Sequence, residues 1–258
     1  VISPMLCILK DYISIDMNPE YIGYCVADKG FSGIKNIVEK GVIDFRELNT
    51  KLKLSSTDSK QVYQNNKRRH EVVNAIKHLF SLATQYKCAY FVMEELDGIG
   101  KTTLSNKSSN YKVKNIWHRE ITNHQIQKRC TELGIELIPV NPVYTSFIGN
   151  VNYNNFDAVN AAIEICRRGM FKYTKGLFYP QLTGTNLDAM SSLMKRENVT
   201  LNKRDAQDFK DCKAWDKLFK IASNNGLRWR WDWGKVEKPY SVFRIDNANS
   251  KTNLVVFN

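Results

Sequence analysis

Apolar and polar positions alternate along this chain with two different periods. Residues 11–15 and 21–26 are β-branched and aromatic runs on either side of Asn18-Pro19-Glu20, which predicts two strands joined by a turn. A third strand is predicted over 42–48. After a polar stretch at 50–59, Val62, Val72, Val73, Ile76, Leu79, Phe80 and Leu82 recur at helical spacing up to Lys87, which predicts one long amphipathic helix. Residues 89–93 are continuously apolar, the pattern of a strand buried on both faces, and the run stops abruptly at Glu94 and Glu95.

Gly, Ser, Thr, Asn and Lys dominate 98–114, which reads as a basic loop. A helix over 115–133 carries Ile116, Trp117, Ile121, Ile126, Cys130 and Leu133; it stops at Gly134, and a strand follows over 135–140. A loop over 141–155 leads to Asp157, which opens a helix over 158–168 that Gly169 ends. Aromatic and basic residues run on to Pro180, a polar stretch to about residue 205, and a last helix over 206–223. Alternating strands and helices predict an α/β fold with a unit at 1–180 and a mostly helical, basic and aromatic extension at 181–258, either separate or packed back on the first. No internal repeat is visible.

Of the 258 residues, 43% are hydrophobic and 25% charged, enough apolar mass for a core, which excludes a disordered chain. The longest apolar runs are far too short to span a bilayer, and Pro4 and Lys10 break up the first residues as a secretion signal, so no membrane partner and a cytoplasmic location are expected. Thirty-eight lysines and arginines against 26 aspartates and glutamates leave +12, which points to a polyanionic partner. Cysteines 7, 25, 88, 130, 166 and 212 are widely spread with no close pair, so they read as reduced core thiols and no zinc is expected.

Three acids stand at element ends: Asp16 closing a strand, Glu94 closing another and Asp157 opening a helix. Each alone is explained as a solvated carboxylate or a helix cap. Three converging on one sheet edge would repel one another, and hard oxygen ligands suit two Mg²⁺ or Mn²⁺ ions, the arrangement that phosphodiester hydrolysis needs. Gly98-Ile99-Gly100-Lys101-Thr102-Thr103 has the look of a P-loop end, but Glu95 stands where the motif's first glycine belongs, and residues 105–110 are poor in helix formers. Lys101, Lys107, Lys112 and Lys114 are instead a basic loop expected to meet nucleic acid. Lys67, Arg68, Arg69, Arg119, Lys128, Arg167 and Arg168 are further basic candidates, each also explicable as a solvated face. Tryptophans 229, 231 and 233 fit one face of a half-buried strand as well as a base-stacking platform.

The order strand-Asp, strand-Glu, helix-Asp resembles the three split motifs of RuvC-like nucleases of the RNase H-like superfamily, and most of all TnpB transposon nucleases and type V CRISPR effectors. Ile13-Ser14-Ile15-Asp16-Met17-Asn18 resembles the first motif, Phe91-Val92-Met93-Glu94-Glu95-Leu96 the second and Phe156-Asp157-Ala158-Val159-Asn160-Ala161-Ala162 the third. Ile138-Pro139-Val140-Asn141-Pro142-Val143-Tyr144-Thr145-Ser146 resembles the strand and loop before the last motif. The resemblance covers roughly 10–170. It implies an RNase H-like mixed sheet flanked by helices, and a two-metal DNA endonuclease module of a mobile element or phage in a prokaryotic cell. Asp16 would bridge both ions, with Glu94 and Asp157 on either side. It also implies single or displaced DNA strands as partners, and a guide RNA held through a longer protein. Two departures stand out: 147–156 lacks the cysteines of the family's zinc ribbon, and Asp157 lies three residues before Asn160 rather than two, with Glu164 as the alternative ligand. Two other readings stay open, a non-cleaving nucleic-acid-binding protein such as a repressor, and a stand-alone structure-selective nuclease.

Overall fold

The computed structural model describes residues 11–18, 20–30, 33–46, 58–95, 119–172, 179–227, 241–244 and 253–256. In chain order the elements are β1 (Asp11–Met17), β2 (Tyr21–Gly30), β3 (Gly33–Asp44), α1 (Asp58–Gln85), β4 (Tyr90–Glu94), α2 (Arg119–Leu133), β5 (Glu136–Val140), α3 (Thr145–Asn152), α4 (Asp157–Met170), α5 (Gly184–Arg196), α6 (Lys203–Lys210), α7 (Trp215–Asn224), β6 (Ser241–Arg244) and β7 (Asn253–Val256). The strands form one sheet in the order β5-β4-β1-β2-β3-β6-β7. β1, β2 and β3 run antiparallel in sequence, whereas β4 and β5 add parallel on the other side of β1. The fold is α/β, and the mixed sheet flanked by helices expected of an RNase H-like chain is present.

The hairpin between β1 and β2 is set by Asn18, whose Oδ1 accepts hydrogen bonds from the backbone N–H groups of Glu20 (3.1 Å) and Tyr21 (2.9 Å), the local bonding that makes asparagine a turn former. Strand alternation then divides the core in two. Ile13, Ile15, Met17, Phe91 and Met93 pack with Ala75, Ile76, Leu79 and Phe80 of α1 and Ile126 of α2 on one face. Tyr12, Cys25, Val92 and Ile138 pack with Val159, Ala162, Ile163 and Cys166 of α4 on the other. A third cluster joins Phe147, Ile148 and Val151 of α3 to α5, α6 and α7 through Met190, Phe209, Trp215 and Leu218. The five described cysteines are buried free thiols, those of Cys88 and Cys130 pushed up to about 12 chiefly by burial. No helix among the described residues is long and apolar enough to cross a membrane.

Several elements differ from the sequence expectation. The loop expected over 141–155 contains α3, and the polar stretch before 205 contains α5. The helix expected over 206–223 is two helices, α6 and α7, with Asp211 capping the first and Ala214 opening the second. β3 starts at Gly33, well before Val42. Gly169 does not stop α4, which continues through it to Met170. Its role is close approach: a Cβ there would lie 2.5 Å from Cγ2 of Val92, so glycine lets the helix lie against the sheet. β6 and β7 extend the sheet beyond β3, so the segment after 180 contributes strands as well as helices.

Candidate active site

β1 and β4 are parallel neighbours in which Ile15 pairs with Met93, so Asp16 and Glu94 come next, side by side, at the ends of their strands. Ile15 and Met93 point into the α1 face, which sends Asp16 and Glu94 to the α4 face. Ser14, two residues earlier on that face, donates from Oγ to the carbonyl of Ala162 in α4 at 2.7 Å. Gly23 is the cross-strand partner of Asp16, and a Cβ on it would collide with the carbonyl of Ala158. The bare backbone at Gly23 therefore lets the first turn of α4 settle beside Asp16, and Asp157 is the first residue of that turn. An acid there also complements the positive end of the helix.

Burial and repulsion govern the electrostatics. Asp16 is 8% exposed, and its carboxyl is held well above the ordinary 3.8, first by burial and then by the negative charges of Glu94 and Asp157. Burial also raises Glu94, against which two groups work: the Thr145 hydroxyl, donating to its Oε1 at 2.6 Å, and the nearby positive charge of Arg168. Asp157 Oδ1 accepts from Asn150 Nδ2 at 2.5 Å. Asn150 Oδ1 in turn accepts from Asn160 Nδ2 at 2.8 Å, and Asn160 Oδ1 receives the backbone N–H and the side-chain amide of Asn155, each at 3.0 Å. Lys40 of β3 donates to Asn155 Oδ1. This chain of amides, largely buried, fixes the start of α4 against α3 and the sheet.

Among the described residues, no group of three or more His, Cys, Asp and Glu side chains is gathered closely enough to hold a metal ion. The chemistry of the three carboxylates does fit a hard divalent cation, since they are oxygen donors and the buried member carries a repulsion that such a cation would relieve. Asp16, Glu94 and Asp157 are the residues that would hold it.

Other expected site residues fall differently. Glu164, the alternative ligand, is fully buried and held by Arg167 (2.8 Å) and Arg168 (2.9 Å), so it is committed to an internal ion pair and is not available to a metal. The same pairs correct the expectation that Arg167 and Arg168 meet nucleic acid: both are buried, and Arg168 also donates to the carbonyl of Asn141 at 2.6 Å and lies 5.6 Å from the Tyr179 ring. Arg68 is buried too, while Lys67 is half-buried and Arg69 exposed. Arg119 is half-buried at the start of α2, and Lys128 is exposed, 3.8 Å from Glu132. Lys101, Lys107, Lys112 and Lys114, the sequence resembling a P-loop, Trp117, His118, the tryptophans of the tail and Cys7 lie outside the described residues. Sequence reasoning missed Thr145 and Asn150, which touch Glu94 and Asp157 from α3. Asp44 at the end of β3 is a further buried acid, but Arg46 neutralises it at 2.6 Å.

No family model matches this chain, and no curated protein matches it in sequence. Among solved structures, T. thermophilus RuvC in complex with a Holliday junction substrate matches at a TM-score of 0.39 and 9% identity, over 64% of this chain and 96% of that one. A second Thermus thermophilus RuvC structure matches at 0.38 and 12% identity, over 63% and 95%. A Cas12f1-sgRNA-target DNA complex matches at 0.40 and 15% identity over 71% of this chain, which spans 46% of that protein. These neighbours carry RuvC-like nuclease domains of the RNase H fold, and the match to each is weak.

Proposed function

We propose that this chain is a divalent-metal-dependent endonuclease module that hydrolyses phosphodiester bonds in DNA. The observation that carries the reading is that Asp16 and Glu94 end neighbouring strands and Asp157 opens the helix beside them, near enough for the charges of Glu94 and Asp157 to help push the Asp16 carboxyl up, though not drawn as close together as ligands around a bound ion. A buried carboxyl beside two others destabilises the protein unless a cation compensates it, so the cluster makes sense as a ligand set. Mg²⁺ or Mn²⁺, when bound, supplies a Lewis acid that lowers the pKa of an attacking water and stabilises the leaving oxygen. Asp16, whose carboxyl feels the charges of both Glu94 and Asp157, would be the central ligand of such ions, with Glu94 and Asp157 as the further ligands. Thr145 fixes the rotamer of Glu94, and Asn150 does the same for Asp157.

Lys67, Arg69 and Arg119, with Lys101, Lys107, Lys112 and Lys114 of the basic segment, are proposed to bind the phosphates of a single or displaced strand. In this proposal residues 1–180 form the nuclease unit and 181–258 an extension. The chain works in the cytoplasm of a prokaryotic or phage-infected cell, as part of a TnpB-like protein that takes its sequence specificity from a guide RNA. A second reading, a nucleic-acid-binding protein that does not cut, is favoured by the absence of a gathered ligand set among the described residues.

Asp16→Ala, Glu94→Ala and Asp157→Ala separate the two. The nuclease reading expects Mg²⁺-dependent cleavage of labelled strands by the parent and none by any variant, with strand binding intact or tighter as repulsion of phosphate is relieved. Binding without cleavage by the parent in Mg²⁺ and Mn²⁺ would select the second reading. Cleavage by Asp16→Ala at the parental rate would overturn the site.

A further inference from the structure

Next to the carboxylates lies a cleft of about 350 Å³ that the proposed hydrolysis does not use. Its inner end is the site itself: Asp157, and Thr145, whose hydroxyl holds Glu94. Its outer end is aromatic. Tyr144 and Phe219, both half-buried, meet there with ring centroids 4.8 Å apart and planes at 43°, and the Ser146 side chain adds a hydroxyl to the lining. Phe219 is braced edge-on by Phe147 at 5.3 Å, and Tyr144 by Tyr179 at 6.3 Å. The backbone at Tyr144 is left-handed, φ 63 and ψ 16, which an aromatic residue adopts only when its surroundings impose it. The fold thus holds an aromatic ring, on left-handed backbone, in the lining of a cleft that Asp157 also lines.

Size and lining narrow the occupant. The volume admits one nucleotide and not a duplex, and aromatic faces with a few hydroxyls suit a base whose sequence is not read. Lys220, exposed and next to Phe219 on α7, lines a separate depression in which Arg204 and Lys217 stand beside Asp205 and Asp208, with Lys217 3.5 Å from Asp208. We infer that this cleft seats one base of a single-stranded nucleic acid, next to the phosphodiester presented to Asp16, Glu94 and Asp157, with Phe219 and Tyr144 as its stacking faces. The inference rests on the function proposed above, and adds a base-stacking seat beside the carboxylates.

The test uses the full chain in Ca²⁺ or EDTA with single strands carrying 2-aminopurine at one position at a time. Quenching at one position is expected, with none for the same oligonucleotide in a duplex. Phe219→Leu, which keeps the apolar contact with Phe147 and loses the ring, should remove the quenching and weaken binding roughly 5- to 150-fold, the range for one lost base stack. An abasic residue at that position should weaken the parent equally and Phe219→Leu no further. Phe219→Trp should restore both signals. Ser146→Trp, which fills the cleft from its half-exposed side, should also remove the quenching even if Phe219→Leu unfolds. Strands that bind parent and variants alike, abasic or not, would overturn the stacking site while leaving the nuclease reading standing; equal quenching in a duplex would do the same. No binding of any strand at low salt would overturn both.

Discussion

Asp16 carries opposite consequences for stability and for chemistry. Its folded-state carboxyl lies above the value of about 3.8 that it has in the unfolded chain, so the folded state prefers it protonated. Stability on its account is fully present below about pH 4 and declines as pH rises through the higher folded value. Asp16→Asn removes that penalty. In metal-free buffer at pH 7–8 the variant should melt above the parent, each kcal/mol regained being worth roughly 2–4 °C in a chain of this size, and the gain should vanish as the buffer approaches pH 4. Calorimetry of both proteins across that range checks it, and an advantage over the parent no larger at pH 8 than at pH 4 would mean that Asp16 is not under charge stress. Arg168 is the converse case. It is buried against Glu164 and the carbonyl of Asn141, and its charge also steadies Glu94. Arg168→Met should cost about 3–5 kcal/mol in urea unfolding because it strips a buried carboxylate of one partner, and Arg168→Met with Glu164→Gln should recover part of that loss.

At the scale of elements, the start of α4 depends on what β2 lacks. Gly23→Ala puts a methyl group into the carbonyl of Ala158, and overpacking of this kind costs about 1–3 kcal/mol. The displacement falls on the turn that carries Asp157, so cleavage should fall far more than the small drop in urea midpoint implies; equal losses in both would argue that α4 is not positioned by this contact. The sequence made much of this region legible. Apolar runs that break off at an acid mark both a strand and the open end of a sheet, which is why Asp16 and Glu94 could be named beforehand. α3 could not be read so. Its eight residues include Gly149, two asparagines and the β-branched Thr145, Ile148 and Val151, all mediocre helix formers, and it exists because Phe147, Ile148 and Val151 bury into the third cluster. With α3 unread, Thr145 and Asn150 could not be recognised as partners of the acids. Nor did the pattern reveal that Arg167 and Arg168 turn inward, since a pair of arginines at a helix end looks the same whether it meets solvent or a buried glutamate.

Over the whole molecule, a charge of +12 favours polyanions, yet the cations divide into those spent on internal pairs and those left at the surface. Strand affinity should therefore fall with salt, the slope of log K against log salt measuring the phosphates neutralised at about 0.7 each. Arg69→Ala, at an exposed position on α1, should reduce that slope by about one such unit without changing sequence preference. An unchanged slope would remove α1 from the strand path. The placing of the three acids has one more consequence, for the time when the protein is being made. Asp16 and Glu94 become neighbours only when β4 docks beside β1, and Asp157 joins them only when α4 settles on Gly23. A ribosome that has translated the first two acids but not the helix holds a nascent chain whose acids have not yet met. The three acids therefore come together only after the chain has been translated through α4, so the order of synthesis itself delays the assembly of the proposed site.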